Sequence, residues 1–350
     1  MNSRPVFVHG ATVCMSWADA SRSLEDLIFQ AVTRALHASA VSIDAVDSVV
    51  LAAHDLVDGR SLSSMVTAPA AGAYLRDEIR LAEDGLVAMS LATARVAAGE
   101  SEMSIVAAWG RASEGDLLAT SRASMDPFMV QPFGLSEVDM PALRLSRWLG
   151  LHGMQEAARK DAANARIARA KRNPHAVGGA APWVSVNAPL RADEAPRSAD
   201  VVVAALIGAG ASKVRIAGTG HGTDATHPGD RDWLARPALC SAVAGALTEA
   251  GLTLNDIGLF EIDGMTLSDE ALALEALGLA TPGDGFGLYA RAAHINPSGG
   301  SAAGWAYPAM GLVRFAECLF RVGGGTRHAL AVGSSPVGDQ TQTAIVLEAG

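Results

Sequence analysis

Two stretches of the chain carry the same order of apolar and polar positions. Ala31–Ala53 (AVTRALHASAVSIDAVDSVVLAA) and Ala242–Gly264 (AVAGALTEAGLTLNDIGLFEIDG) align without a gap, with Ala31, Val32, Ala35 and Leu36 on Ala242, Val243, Ala246 and Leu247. Ser42-Ile43-Asp44 falls on Thr253-Leu254-Asn255, the turn between a helix and a buried strand. A second pair places Gly85-Leu86-Val87 over Gly311-Leu312-Val313, Arg95-Val96 over Arg321-Val322, and Gly99 over Gly325. In both copies a small-residue helix ends at a glycine, which can adopt the left-handed cap conformation, and an apolar run (SIVAA, LAVGS) follows. Each half therefore reads helix, strand, loop, helix, strand. The pattern predicts an α/β fold of two duplicated halves, each with a five-stranded sheet.

Residues 119–195 break this pattern. DPFMVQPFGLSEVD (Asp126–Asp139) is rich in turn formers, and His152–Ala176 reads as one long exposed helix stopped at Pro174. The GGAAPWVSVNAP stretch is a further loop. The expected organisation is a first half of residues 1–118 and 196–222, an inserted loop domain at 119–195, and a second half at 223–350. Loops mounted on a rigid core commonly shape substrate sites.

With 350 residues, the chain is long enough for two core-forming units. Its 36 glycines and 5% aromatic content favour closely packed helices on sheets. A net charge of −10 lacks the basic footprint that phosphate backbones require, so no nucleic-acid partner is expected. Cys14, Cys240 and Cys318 are too few and too far apart to suggest a disulfide framework or a zinc site. His221, Asp224, His227, Asp230 and Asp232 are dense but match no helical metal-binding spacing, so no metal is expected. MNSRPVFVHG has no apolar signal core and no apolar run is long enough to span a bilayer; the expectation is a cytoplasmic protein without a membrane partner.

One short stretch has the address of a nucleophile. In AEDGLVAMS (Ala82–Ser90) a polar turn runs into Gly85 and a buried helix start. Together with the duplicated halves, the inserted region and HINPSGGSAAGWAYPAMGLVRFAE (His294–Glu317), this resembles the thiolase superfamily over nearly the whole chain. DPFMVQPFGL and KRNPHA are most similar to its sterol-carrier-protein-type branch, which points to lipid or sterol metabolism. The resemblance implies a layered α-β-α-β-α arrangement and a coenzyme A thioester as substrate, with no bound cofactor. It further implies a homodimer paired through a sheet-edge strand, for which Ser101–Trp109 is the candidate, or a heteromer with an OB-fold/zinc-ribbon protein or a second thiolase-like chain.

The departures from the family pattern define the chemistry that remains. Ala82 stands where the resemblance puts the nucleophilic cysteine, and an alanine methyl cannot attack a thioester. The acidic-histidine turn reads Glu261-Ile262-Asp263-Gly264-Met265, and the Gly-His-Pro segment reads Gly304-Trp305-Ala306-Tyr307-Pro308. AVGSSPVGDQTQT holds Ser334 and Ser335 in place of the second cysteine. The candidate catalytic residues are Tyr307 as donor to an oxyanion, Asp263 as general base, Asp84 at the helix start and His294. Glu83 is a further carboxyl that could face the pocket. Candidate substrate contacts are Ala82 at the pocket floor, Asn296, Gly299, Gly300 and Trp305. Arg166 and Arg169 step along one face of the basic helix and would suit the phosphates of coenzyme A. Asp55, Asp58 and Arg60 read as a structural ion-pair group. Three functions fit: a cysteine-independent enzyme on an acyl-CoA, by acyl transfer or retro-aldol C–C cleavage; a non-catalytic subunit of an active homologue; or an acyl-CoA-binding protein.

Overall fold

The structure, a computed structural model, describes residues 4–59, 62–179, 181–335 and 338–350. The first half runs β1 (Val6–Ser16), α1 (Leu24–Ser39), β2 (Ser48–Ala52), α2 (Asp55–Asp58), α3 (Ser64–Ala70), β3 (Asp77–Leu81), α4 (Gly85–Ala98) and β4 (Met103–Arg111). The insertion follows with α5 (Leu117–Ser124), α6 (Asp139–His152) and α7 (Glu156–Arg172), and β5 (Asp200–Gly208) completes the half. The second half is β6 (Val214–Thr223), α8 (Pro237–Ala250), β7 (Leu259–Ile262), α9 (Leu267–Ala276), α10 (Gly285–Arg291), α11 (Met310–Arg321), β8 (His328–Ser334) and β9 (Thr341–Ala349).

The repeat seen in the sequence is a repeat of roles. α1 and α8 cover the outer faces, β2 and β7 follow them, α4 and α11 pack against each other inside, and β4 and β8 follow those. Strand pleating explains the layers, since successive side chains point to opposite faces. On β4, Ile105, Ala107 and Trp109 join the core under α1, whereas Val106 and Ala108 join the central core around α4 and α11. On β8, Leu330 and Val332 face outward to the second core, and Ala329 and Ala331 face the central one. The result is the α-β-α-β-α stack.

Several sequence expectations are corrected. The strands form one nine-stranded sheet in the order β3-β2-β4-β5-β1-β6-β9-β8-β7, not two sheets of five. Val6–Val8 of β1 pair with β6 and so join the halves. The second half lacks a full counterpart of β3: Phe260 of β7 makes a lone bridge to Ile295. Asn296 then turns away with φ 40°, and its side-chain amide takes over the pairing, accepting from Ile262 N–H at 2.7 Å and donating to Ile262 O at 2.9 Å. β6 pairs with β9 and packs on α8, so residues 214–222 belong to the second half and the boundary drawn at 222 lies too late. β4, which overlaps Ser101–Trp109, lies between β2 and β5 and cannot be a pairing edge; the edge of the first half is β3.

The insertion also differs. A glycine at Gly153 (φ 77°) ends α6, and α7 starts only at Glu156. α7 is not a solvated helix. Arg159, Arg166 and Arg169 point inward and are buried. Arg159 grips Glu194 through two hydrogen bonds of 2.8 and 2.6 Å. Arg166 donates to Ser301 Oγ and to Ala195 O, and Arg169 to the carbonyls of Tyr289, Ala292 and Ile295. Arg159 braces the insertion internally, and Arg166 and Arg169 fasten it to the second half. Near β2, Asp55 and Asp58 pair with Arg80; Arg60 lies outside the described residues.

One contact tests the outer packing directly. Gly218, Gly220 and Gly222 of β6 lie against the backbone of α8, and a Cβ on Gly220 would collide with the carbonyl of Ala242. Gly220→Ala is expected to destabilise the chain by about 1–3 kcal/mol, the usual cost of overpacking. Urea unfolding measures it; an unchanged midpoint would mean that the strand and helix do not approach this closely.

Candidate active site

The loops at the carboxyl ends of the strands converge on one region because both halves bring a central helix start there. Asp84 caps α4, accepting from Leu86 N–H at 2.8 Å, and its second oxygen accepts from Gly311 N–H of α11 at 2.9 Å. A Cβ on Gly311 or Gly333 would collide with this carboxyl. Asp84 is fully buried, and burial, followed by the charge of Asp263, pushes its carboxyl well above the ordinary range despite the two N–H donors. Its carboxylate oxygens are spent on the helix starts. The neighbouring turn is tied down by Gly85 N–H, which donates to Pro308 O at 2.9 Å. Tyr307 is thereby held beside the turn of Glu83 and Asp84.

Two cavities adjoin here. The first, about 540 Å³ including its open mouth, is mainly apolar and is lined by Val57, Ala112, Thr120, Ser121, Trp305, Ala306 and Tyr307, with Arg111 and Glu137 at its polar margin. The second, about 390 Å³, is the more polar of the two: Arg144, Asp263, Asp269, Ser334, Ser335 and Asp339 line it beside Met140, Pro141 and Met265, again with Glu137 and Trp305. None of Cys14, Cys240 and Cys318 lines either cavity among the described residues. The described residues also hold no cluster of histidine, cysteine and carboxylate side chains suited to a metal ion.

Tyr307 is 8% exposed, and its hydroxyl is buried with no hydrogen-bond partner among the described residues. A buried hydroxyl without a partner is costly, so one facing a cavity is a place for a ligand atom. Burial first, then the charges of Glu83, Glu137 and Asp84, push its pKa above the usual phenol value. The phenol keeps its proton at neutral pH and can donate a hydrogen bond but not serve as a phenolate base. The imidazole of His54 lies 5.8 Å from the Tyr307 ring, with its Nδ1 accepting from Leu56 N–H.

Asp263 extends β7, its N–H donating to Val332 O at 2.9 Å. Burial pushes its carboxyl up to about 7; Arg314 opposes this, and Glu270 and Asp339 add to it. A base that titrates near neutrality is suited to proton transfer. Glu83 is raised by burial against a hydrogen bond from Ser335, and its second oxygen is buried without a partner. Glu137 is raised well above the carboxylate range by burial. Asp339 goes the other way: burial works against ionisation, but Arg144 and Arg236 hold it as a carboxylate well below the usual range. Ser334 donates to this carboxylate and accepts from Gln342.

The structure thus brings Tyr307, Asp263, Asp84 and Trp305 together and separates the other candidates. His294 is exposed and sits at the opposite end of β7 from Asp263, its carbonyl taking the Phe260 N–H. Ala82 lies in an exposed bend after β3 and lines neither cavity, so it is not a pocket floor. Asn296 uses both ends of its amide on Ile262. Gly299 and Gly300 are buried where a side chain would strike Ala170 and Glu270; they serve packing under α7. Arg166 and Arg169 are committed to backbone carbonyls and Ser301 and offer nothing to phosphates. Glu137, His54, Arg144 and Asp339 carried no periodic or spacing signal. Glu137 stands in the turn-rich DPFMVQPFGLSEVD, where only the tertiary path turns a loop carboxyl into a cavity wall.

No protein-family model and no curated protein sequence matches the chain. Among solved structures, one described as an Ltp2–ChsH2(DUF35) aldolase aligns with a TM-score of 0.80 and 18% identity, over 100% of this chain and 99% of that one. Human mitochondrial 3-ketoacyl-CoA thiolase aligns with a TM-score of 0.74 and 18% identity, over 100% of both chains. Likeness at this identity speaks for architecture: the chain has the thiolase fold.

Proposed function

We propose that the protein acts on a β-hydroxyacyl-CoA and breaks its Cα–Cβ bond by retro-aldol chemistry, without a covalent intermediate. The observation that carries this reading is the unpartnered, buried Tyr307 hydroxyl in one cavity with the near-neutral Asp263 carboxyl in the next. In the forward direction, the Asp263 carboxylate takes the β-hydroxyl proton. The Cα–Cβ bond breaks as the Cβ–O double bond forms, and the electron pair moves to the thioester oxygen. Tyr307 donates a hydrogen bond to that developing oxyanion. No nucleophile is required. Acyl transfer is less well supported, because Ser334 is engaged by Asp339 and Gln342 and no histidine lines either cavity among the described residues.

For the nucleotide end of coenzyme A, a third cleft of about 920 Å³ is the better candidate than the buried arginines. It is lined by Lys171, Trp183 and Arg197, whose guanidinium lies 5.7 Å over the Trp183 ring. Arg197 O accepts from Trp305 N–H at 2.7 Å, which links this cleft to the catalytic cavities. The reading also includes a second chain. An OB-fold/zinc-ribbon partner accords with the two components named for the aldolase neighbour. A second copy would use the β3 edge, beside which Tyr74 and Leu75 are 73% and 88% exposed.

Tyr307→Phe is expected to lower turnover of a β-hydroxyacyl-CoA by roughly 10²–10³, the usual loss for an oxyanion donor. Wild-type rates in that variant would remove the tyrosine from the chemistry. Turnover should rise with pH through about 7 as Asp263 ionises, and Asp263→Asn should abolish it. The same carboxyl ionises at about 4 in an unfolded chain. The stability that its proton supports is therefore complete below about pH 4 and is lost as the pH rises through the folded value. Asp263→Asn is accordingly expected to raise the unfolding midpoint relative to wild type at pH 8 but not at pH 4. Finally, the double substitution Tyr74→Asp and Leu75→Asp should shift a dimer towards monomer in sedimentation; an unchanged mass would exclude the β3 edge.

A further inference from the structure

Among the described residues, Glu137 and Trp305 are the two that line both catalytic cavities. Glu137 is the one of them that can move a proton. It is 7% exposed and held from two sides. Its N–H donates to Ser121 Oγ of α5 at 2.6 Å, and its Oε1 accepts from Gly338 N–H in the turn before β9.

The connectivity of the substrate gives this position a meaning, on the retro-aldol reading above. A β-hydroxyacyl thioester runs from its carbonyl carbon through Cα and Cβ to the hydroxyl. A substrate with its carbonyl oxygen at Tyr307 in the apolar cavity and its hydroxyl at Asp263 in the more polar one would have Cα between the two, on the stretch whose shared lining is Glu137 and Trp305. After cleavage the electron pair is shared between the thioester oxygen and Cα, and the enolate must gain one proton at carbon to become the product thioester. Asp263 holds the proton it took from the hydroxyl, on the far side of Cβ.

We infer that Glu137 is the acid that delivers the proton to Cα of the thioester enolate. The O–H bond of its carboxyl breaks as the Cα–H bond forms, leaving Glu137 as a carboxylate and Asp263 protonated. The transfer of one proton from Asp263 back to Glu137 restores the starting state. Burial, which keeps the Glu137 carboxyl protonated well above the ordinary range, suits it to this role.

The last step run in reverse supplies the test. Propionyl-CoA incubated with the protein in deuterium oxide should exchange its α-hydrogens, followed by mass spectrometry. Glu137→Gln, of nearly the same shape, is expected to lower exchange by roughly 10²–10⁴, the range for loss of a general acid–base group. Glu137→Asp, which withdraws the carboxyl by one methylene, should fall between, with a loss of at least about tenfold. Near-ultraviolet circular dichroism checks folding, and if the Gln variant does not fold, the Asp variant decides. Wild-type exchange in a folded Gln or Asp variant overturns the assignment of Glu137 and leaves the retro-aldol reading intact. A wild-type protein that neither exchanges propionyl-CoA nor cleaves a β-hydroxyacyl-CoA overturns the reading itself, and the role of Glu137 with it.

Discussion

The site depends on one carboxyl, that of Asp84, held between the first turns of α4 and α11. Each helix start leaves N–H groups without intrahelical partners, and a carboxyl oxygen satisfies one on each helix. The two helices occupy equivalent places in the duplicated halves, so this contact joins the halves where their inner faces meet. The approach is close enough that Gly311 and Gly333 admit no side chain. Fixing the two helix starts also fixes what leads into them, namely the Glu83 turn before α4 and the Tyr307–Pro308 segment before α11.

Around that junction the charge is arranged unevenly. Asp84, Asp263, Glu83 and Glu137 are all raised, with burial as the leading cause. Asp339 alone is held low, by Arg144 and Arg236. Carboxyls crowded in a place with little water cannot all ionise, and their environments push them apart into different roles. Tyr307 stands among them as a phenol whose ionisation burial disfavours. A cluster of that kind suits the proton transfers and the oxyanion stabilisation of the proposed reaction.

The arginines of α7 are anchors: a guanidinium withdrawn from water must be paired, and Glu194 and a set of backbone carbonyls do so. Arg166 and Arg169 hold α7 against α10 and the Gly299–Ser301 turn, and Arg159 ties it to Glu194 within the insertion. Residues that read as a phosphate-binding face thus act as structural anchors.

The sequence by itself determined the duplication, the alternation of helices and strands and the cap at Asp84. Each is written in local spacing, in a helix period, an apolar run or a capping residue, and local spacing survives without knowledge of partners; Tyr307, Asp263 and Trp305 were legible only through the resemblance to the thiolase motifs. Only the tertiary structure decided which face of α7 is buried, that Asn296 replaces a strand, that β4 is internal and that Ala82 and His294 lie outside the cavities. Those outcomes turn on contacts between residues from about thirty to more than a hundred positions apart. Arg166 meets Ser301, and Glu137 meets the turn before β9. An arginine satisfied by distant carbonyls and an arginine waiting for a phosphate have the same local sequence; what separates them is which atoms the rest of the chain brings within hydrogen-bonding distance.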